Sequence, residues 1–259
     1  MASVESLPLL LKQLGLPTIA KNWKAMEIEA QEKQLRYPGY LAALAELEAN
    51  IRHQNRINRH IKEAKLPPGK TLSSFNFSAA KAINQQQIIA LSDNPGWVKD
   101  ANNLVIFGPS GVGKSHLAAA IALRLIEQGM RCLYISGMSL VQKLQQAKEE
   151  LRLAEVIAKL GRLPLLIIDD IGYVKKDEAE TSVLFELIAE RYESASIIIT
   201  ANQPFSKWDS IFPDNMMAVA AIDRLIHHAT VINIKGESFR KNEAQQREEK
   251  KLKPRIDTN

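Results

Sequence analysis

Between Asn103 and Ile126 the chain passes from a short apolar run, through an eight-residue loop, into a stretch of strong helix formers. The loop is Gly108-Pro-Ser-Gly-Val-Gly-Lys114-Ser115, which reads G-x-x-x-x-G-K-S. The run before it, Asn103-Leu-Val-Ile-Phe107, has the length and content of a buried strand. The stretch after it, from His116 to Ile126, is rich in alanine and leucine and favours a helix. Strand, glycine loop and helix in that order give an α/β core with a phosphate-binding loop. The glycines let backbone N–H groups curl around a triphosphate without Cβ clashes. The helix N-terminus then aims its free N–H groups and its dipole at the anion. Gly108, Pro109, Ser110, Gly111, Val112, Gly113, Lys114, Ser115 and His116 are therefore the candidate nucleotide-binding residues. Lys114 is placed to reach the β- and γ-phosphates, and the Ser115 hydroxyl to ligate Mg²⁺.

A chain of 259 residues is long enough for a full α/β core and a small accessory domain. Its formal net charge of +5 suits a partner with phosphates but does not by itself select one. Cys132 is the single cysteine, so no internal disulfide is expected and a reducing compartment is favoured. No apolar run approaches the roughly 18–20 residues of a membrane span. The N-terminus lacks a basic segment followed by a long apolar core, so no signal peptide is expected. The expected location is the cytoplasm, with no membrane partner.

Residues 1–66 read as a separate helical domain. Leu7, Leu10, Leu11 and Leu14 form a first apolar stripe, stopped by Gly15 and Pro17. Thr18 is placed to cap a second helix reaching about Leu35. Tyr37-Pro38-Gly39 reads as a break, and a third helix starts at Tyr40 with Leu41, Leu44, Leu47 and Ile51 inward. The second half of that helix is basic. Arg52, Arg56 and Arg59 fall at i, i+4 and i+7, which reads either as a stripe tracking DNA phosphates or as a solvated face. Leu66-Pro-Pro-Gly-Lys70 reads as a linker. Phe75 and Phe77 alternate and can dock on one surface, as a packing tether or as a border to the nucleotide base. Residues 79–90 read as a helix. Residues 131–136 read as a second strand, and Met138 to about Leu160 as amphipathic helix in two pieces, with Lys143, Lys148 and Arg152 toward the outside.

Leu165-Leu-Ile-Ile-Asp169-Asp170 is four apolar residues followed by two carboxylates. A buried strand that delivers acids at its C-terminal end presents them to the ligand crevice of an α/β sheet. Asp169 would partner Ser115 in holding Mg²⁺, and Asp170 would polarise the attacking water. A further apolar strand from Ser196 ends at Thr200-Ala-Asn202, so Thr200 or Asn202 can reach the γ-phosphate or its attacking water. Residues 241–259 are charged, carry no apolar face and read as a frayed tail.

Four motifs now stand in order: the loop at 108–115, the acids at 169–170, the polar strand end at 200–202, and Asp223-Arg224-Leu225 followed by Ser238-Phe-Arg240. This order resembles the AAA+ superfamily and its initiator and helicase-loader clade. The strings Leu165-Leu-Ile-Ile-Asp-Asp-Ile-Gly-Tyr173, Leu184-Phe-Glu-Leu-Ile188 and Gly236-Glu-Ser-Phe-Arg240 look like the IstB-like transposition helpers within that clade. The resemblance covers nearly the whole chain. It implies an AAA+ P-loop NTPase domain over 67–240, with a parallel sheet flanked by helices, behind the helical N-terminal domain. It implies an ATPase using ATP and Mg²⁺ that forms a homo-oligomer, a ring or spiral, on double-stranded DNA. It would assist a transposase encoded by the same insertion sequence in selecting its target. Asn202 would be the sensor positioning the water, Arg224 a finger acting on the neighbouring subunit's ATP, and Arg240 a second sensor. The 138–160 region would line a DNA surface through Lys143, Lys148 and Arg152. Many AAA+ ATPases have Glu where this chain has Asp170, and the shorter carboxylate implies slow hydrolysis.

The same resemblance leaves a DnaC-like loader of a replicative helicase as the alternative. A small-molecule kinase or a GTPase fits less well. The GTPase motif N-K-x-D is absent at its nearest counterpart, Ala201-Asn-Gln-Pro204.

Overall fold

The computed structural model describes residues 4–80, 83–171, 178–204, 208, 215–236 and 238–239. The chain divides into two compact units, Met1–Arg59 and His60–Asn259. The division falls inside a helix and not at Pro67-Pro68, where the sequence suggested a linker.

The first unit is helical: α1 (Leu7–Gln13), α2 (Pro17–Glu32) and most of α3 (Tyr37–Ala64). Two expectations change here. The cap of α2 is not Thr18. Pro17 occupies the first turn, and its N-cap Leu16 offers no side-chain acceptor. Glu48 of α3 supplies it instead, accepting from the amides of Thr18 at 2.8 Å and Ile19 at 3.0 Å. Arg52 closes the arrangement from one turn away, with Nε 2.9 Å from Glu48 Oε1. Burial would raise the Glu48 carboxyl, but the Ile19 amide, Arg52 and the Thr18 amide together hold it below the usual carboxylate range. The second change is at Tyr37-Pro38-Gly39, which forms the first turn of α3 and no break. A proline there loses no helical hydrogen bond, because the first N–H groups of a helix have no intrahelical acceptor.

The last turn of α3 belongs to the second unit, where Ala64 is fully buried and Glu63 pairs with Arg131 at 3.5 Å. The helix expected at 79–90 starts later. It is α4 (Gln85–Asp93), because Asn84 caps it by accepting from the amides of Gln86 and Gln87. A single turn, α5 (Gly96–Lys99), leads into β1 (Asn103–Phe107). There follow α6 (Lys114–Glu127), β2 (Cys132–Ser136), α7 (Gly137–Glu149), α8 (Leu153–Gly161), β3 (Leu165–Asp169), α9 (Glu178–Arg191), β4 (Ser196–Ala201), α10 (Asn215–Ile226) and β5 (Ala229–Asn233).

The five strands form one sheet in the order β2-β3-β4-β1-β5, and every pairing is parallel. Parallel strands need a crossover between them, which is why helices alternate with strands along this unit. Strands covered on both faces must be apolar throughout, and Leu104–Ile106, Leu165–Ile168 and Ile197–Ile199 are all buried. On one flank, α6 buries Leu117, the alanine run 118–120, Ile121, Ala122, Leu125 and Ile126. On another, Leu140 and Leu144 of α7 join Leu184, Leu187 and Ile188 of α9 in a single cluster with Leu166 and Ile168.

Two buried polar side chains fix the N-terminal end of the sheet. Asn103 donates to Leu225 O at 3.1 Å and accepts from Ile197 N at 2.9 Å, tying β1 to α10 and β4. Arg191, 1% exposed, donates to Leu160 O at 2.6 Å, Ser196 O at 2.5 Å and Pro164 O at 3.5 Å. Burial lowers its pKa to about 10, still high enough to keep it charged. The C-terminal ends of β1, β3 and β4 are left to build the functional site. Among the described residues no helix is long and apolar enough to cross a membrane.

Candidate functional site: a crevice at the carboxyl ends of the strands

A cleft of about 430 Å³ opens where β1, β3 and β4 end. Residues 110–116, Asp170, Thr200 and Asn202 line it, together with Lys70, Phe75 and Phe239 from outside the sheet. The loop between β1 and α6 adopts left-handed backbone at Gly111 (φ +83°) and Gly113 (φ +99°). A Cβ on Gly113 would also stand 2.9 Å from the Phe75 ring, and one on Gly111 would overlap the Ser238 hydroxyl. Both positions require glycine for conformation and for space. Gly113 is the N-cap of α6, so the helix begins at Lys114 with its first amides facing the loop.

Lys114 is 6% exposed and its ammonium donates to Gly108 O (2.9 Å), Pro109 O (2.9 Å) and Asn202 Oδ1 (2.6 Å). A buried cation beside the positive end of a helix is a combination that an anion would relieve. Asn202 also donates from Nδ2 to Asp170 Oδ1 at 2.8 Å, so one amide spans from the lysine to the second acid. Thr200 does parallel work. Its hydroxyl donates to Asp169 Oδ1 at 2.6 Å and accepts from the Asp170 amide at 2.8 Å. Asp170 sits at φ +57°, the sharp bend at the end of β3, and Thr200 pins that bend.

The candidate Mg²⁺ pair, Ser115 and Asp169, share a neighbour that sequence reading missed. Half-buried Tyr134 of β2 interacts with both side chains, and burial followed by Asp169 pushes its phenol well above the usual range. Strand alternation alone gives no hint of this, because the contact depends on β2 lying beside β3. A hydroxyl, a carboxylate fixed by Thr200 and a neutral phenol form an oxygen donor set of the kind a hard divalent cation takes.

His116 turns away from the loop toward the lead-in segment. Its Nε2 lies 2.9 Å from Thr71 O and 3.2 Å from Ser74 Oγ, and Phe75 meets its ring edge-on at 5.3 Å. Burial lowers its pKa, against the Thr71 carbonyl and with help from Lys70. Phe75 is buried and lines the cleft, with Phe77 edge-to-face at 4.8 Å, so the lead-in packs at the edge of the crevice. From the C-terminal side the Phe239 amide donates to Gly111 O at 3.0 Å.

The other candidates lie elsewhere. Arg224, on α10, is not among the residues lining this crevice. Its guanidinium stands 4.9 Å over the Phe185 ring, with Nη1 buried and no hydrogen-bond partner for that atom among the described residues. Arg240 and residues 241–259 lie outside the described residues. Lys143 and Arg152 line a second cleft, about 570 Å³, with Arg131, Lys159 and Arg162. Arg152 is paired with Glu150, and exposed Lys148 is not part of the lining. In the first unit Arg56 and Arg59 are exposed, Arg56 with Nη2 3.0 Å from His53 Nδ1, and Arg52 is engaged by Glu48 and by the Gly15 carbonyl.

Comparison with known proteins agrees with this geometry. The family model described as IstB-like ATP binding protein matches residues 9–247. An insertion sequence ATP-binding protein of Sinorhizobium fredii is 48% identical over 248 residues, 96% of this chain and 83% of its own length. The ATP-binding protein of insertion sequence IS21 from Pseudomonas aeruginosa is 36% identical over 93% of this chain and 90% of its own. Among solved structures, AMPPCP-bound DnaA from Aquifex aeolicus matches with a TM-score of 0.55 at 18% identity, covering 75% of this chain and 58% of that one. The DnaC helicase loader matches with a TM-score of 0.52 at 19% identity, covering 65% of this chain and 98% of that one. The sheet order, the helices around it and these neighbours define an AAA+ fold. The chain belongs to the IstB-like ATP-binding protein family.

Proposed function

We propose that this protein is an ATPase that assembles on double-stranded DNA and assists the transposase of its insertion sequence in choosing a target. The observation that carries the ATPase reading is Asn202, which joins Lys114 to Asp170 across the crevice. In this reading ATP lays its β- and γ-phosphates along the amides at the start of α6. Lys114 then exchanges its oxygen acceptors for phosphate oxygens. Asn202, released on one side, orients a water while Asp170 accepts its proton as the water attacks the γ-phosphorus and the bond to ADP breaks. Thr200 holds both acids in place for that step. Ser115 and Asp169 would hold Mg²⁺, which when bound neutralises charge on the phosphates. Tyr134 would keep those two side chains oriented. Asp170 reaches one methylene less far than glutamate, so turnover is slow and the ATP-bound state long-lived.

Arg224 supports the assembly part of the proposal. A permanently charged guanidinium on α10, outside its own crevice and with Nη1 lacking a hydrogen-bond partner among the described residues, would reach a neighbour's γ-phosphate by leaving the Phe185 ring. In the second unit, Arg131, Lys143, Lys159 and Arg162 around the second cleft outnumber its acids Glu150 and Glu155 and support a phosphate-rich partner. The test is cosedimentation with duplex DNA, with and without ATP, alongside phosphate release with and without the transposase. ATP-dependent pelleting and stimulation by the transposase are expected. Stimulation by a replicative helicase instead, with no retention on duplex DNA, would overturn the reading in favour of a loader.

A further inference from the structure

We infer that Glu193, His227 and His228 form a binding site for a divalent transition-metal ion of the zinc class. The three lie at the opposite end of the sheet from the nucleotide crevice, just before β4 begins at Ser196 and β5 at Ala229. Helix α9 ends at Arg191 and α10 at Ile226, and the residues that follow each helix meet. One ligand atom from each of the three side chains falls within 4.8 Å of the other two. His228 Nε2 is 3.8 Å from Glu193 Oε1, and the two imidazole centroids are 4.0 Å apart. A tetrahedral ion with bonds of about 2.0–2.1 Å sets its ligand atoms roughly 3.4 Å apart, so small rotations complete the set.

Two independent features point the same way. Tyr192 Oη is 2.8 Å from His227 Nδ1 and its ring stacks on the imidazole. In the tautomer whose Nδ1–H donates to the phenol oxygen, the lone pair of Nε2 is left for a ligand, the arrangement that orients metal-bound histidines. In addition, the C-terminal ends of α9 and α10 both bring partial negative charge to this spot. Glu193 stands at φ +54°, the left-handed residue that ends α9, and this places its carboxylate next to the histidines. Two imidazoles with one carboxylate favour Zn²⁺ and its neighbours over Mg²⁺ or Ca²⁺, which take oxygen donors. All three ligands are exposed, leaving a position for water. A bound ion would tie the end of α9 to α10, the helix that carries Arg224 one turn before His227.

The test uses the full chain, free of any histidine tag and stripped with chelator, titrated with Zn²⁺ by calorimetry. One-to-one uptake and a rise in melting temperature are expected. His227→Ala and His228→Ala should each abolish the thermal shift and weaken uptake at least tenfold. Tyr192→Phe should weaken it by about tenfold through the lost orientation of His227. Circular dichroism of the metal-free variants confirms that these surface changes leave the fold intact. Absence of saturable uptake by the wild type overturns the site, as does undiminished uptake by the double histidine variant.

Discussion

Two buried cations stand at opposite ends of the same sheet, and among the described residues each donates to three oxygens. Arg191 ties the end of α8, the turn before β3 and the start of β4 together through main-chain carbonyls. Lys114 donates to two carbonyls of a glycine loop and to the amide oxygen of Asn202. The carbonyls around Arg191 belong to packed elements that cannot leave, so this arginine acts as structure. The partners of Lys114 belong to a loop and a rotatable side chain that can be exchanged for phosphate. A buried cation therefore marks a staple at one end and a candidate ligand site at the other, and the difference lies in what the acceptors are attached to.

Substitution should separate the two ends. The largest effect on chemistry is expected at Lys114→Ala, which should cut ATP hydrolysis by about 10²–10³-fold or more, measured as phosphate release. Its melting temperature should move little. Arg191→Met should do the reverse. It leaves carbonyls without their donor and should cost about 3 kcal/mol in denaturant unfolding, while the rate per folded molecule stays near wild type. A Lys114 variant that unfolds, or an Arg191 variant that is stable, would break the distinction. Thr200→Val, which frees both acids, should lower the hydrolysis rate about 10–100-fold with ATP affinity retained, a split read from kcat and KM.

A smaller effect belongs to the first unit. Glu48→Gln keeps the shape but weakens the cap on α2, and should cost about 1 kcal/mol. Because the folded carboxyl titrates below the ordinary range, its contribution is full at neutral pH. It fades as pH falls from the ordinary carboxylate value through the lowered one. Unfolding curves of wild type and variant should therefore converge in acid.

How far the sequence reaches follows from what is local. The loop at 108–115 and the acids at 169–170 are contiguous, and their chemistry is readable from residue order. So was the pairing of a polar strand end with the crevice at Asn202. Thr200 is legible only as a group at the crevice; its hold on Asp169 and Asp170, and the place of Tyr134 beside Asp169, arise from β4 and β2 lying on either side of β3, a neighbourhood that no spacing encodes. Arg191 escaped assignment for the same reason, since its acceptors come from three separate segments. The errors at Tyr37–Gly39 and Thr18 have another origin. A proline in the first helical turn was read as a breaker, and a cap delivered from a different helix by Glu48 leaves no local mark.

The claim that hydrolysis occurs between subunits is tested most directly by mixing two inactive proteins, Lys114→Ala and Arg224→Ala, on duplex DNA. The first would lack a working crevice but keep its arginine, and the second would keep its crevice but lack the arginine. The account predicts that each alone is silent and that the mixture recovers a substantial fraction of wild-type phosphate release. A mixture as inactive as its components, or an Arg224→Ala protein active by itself, would contradict it.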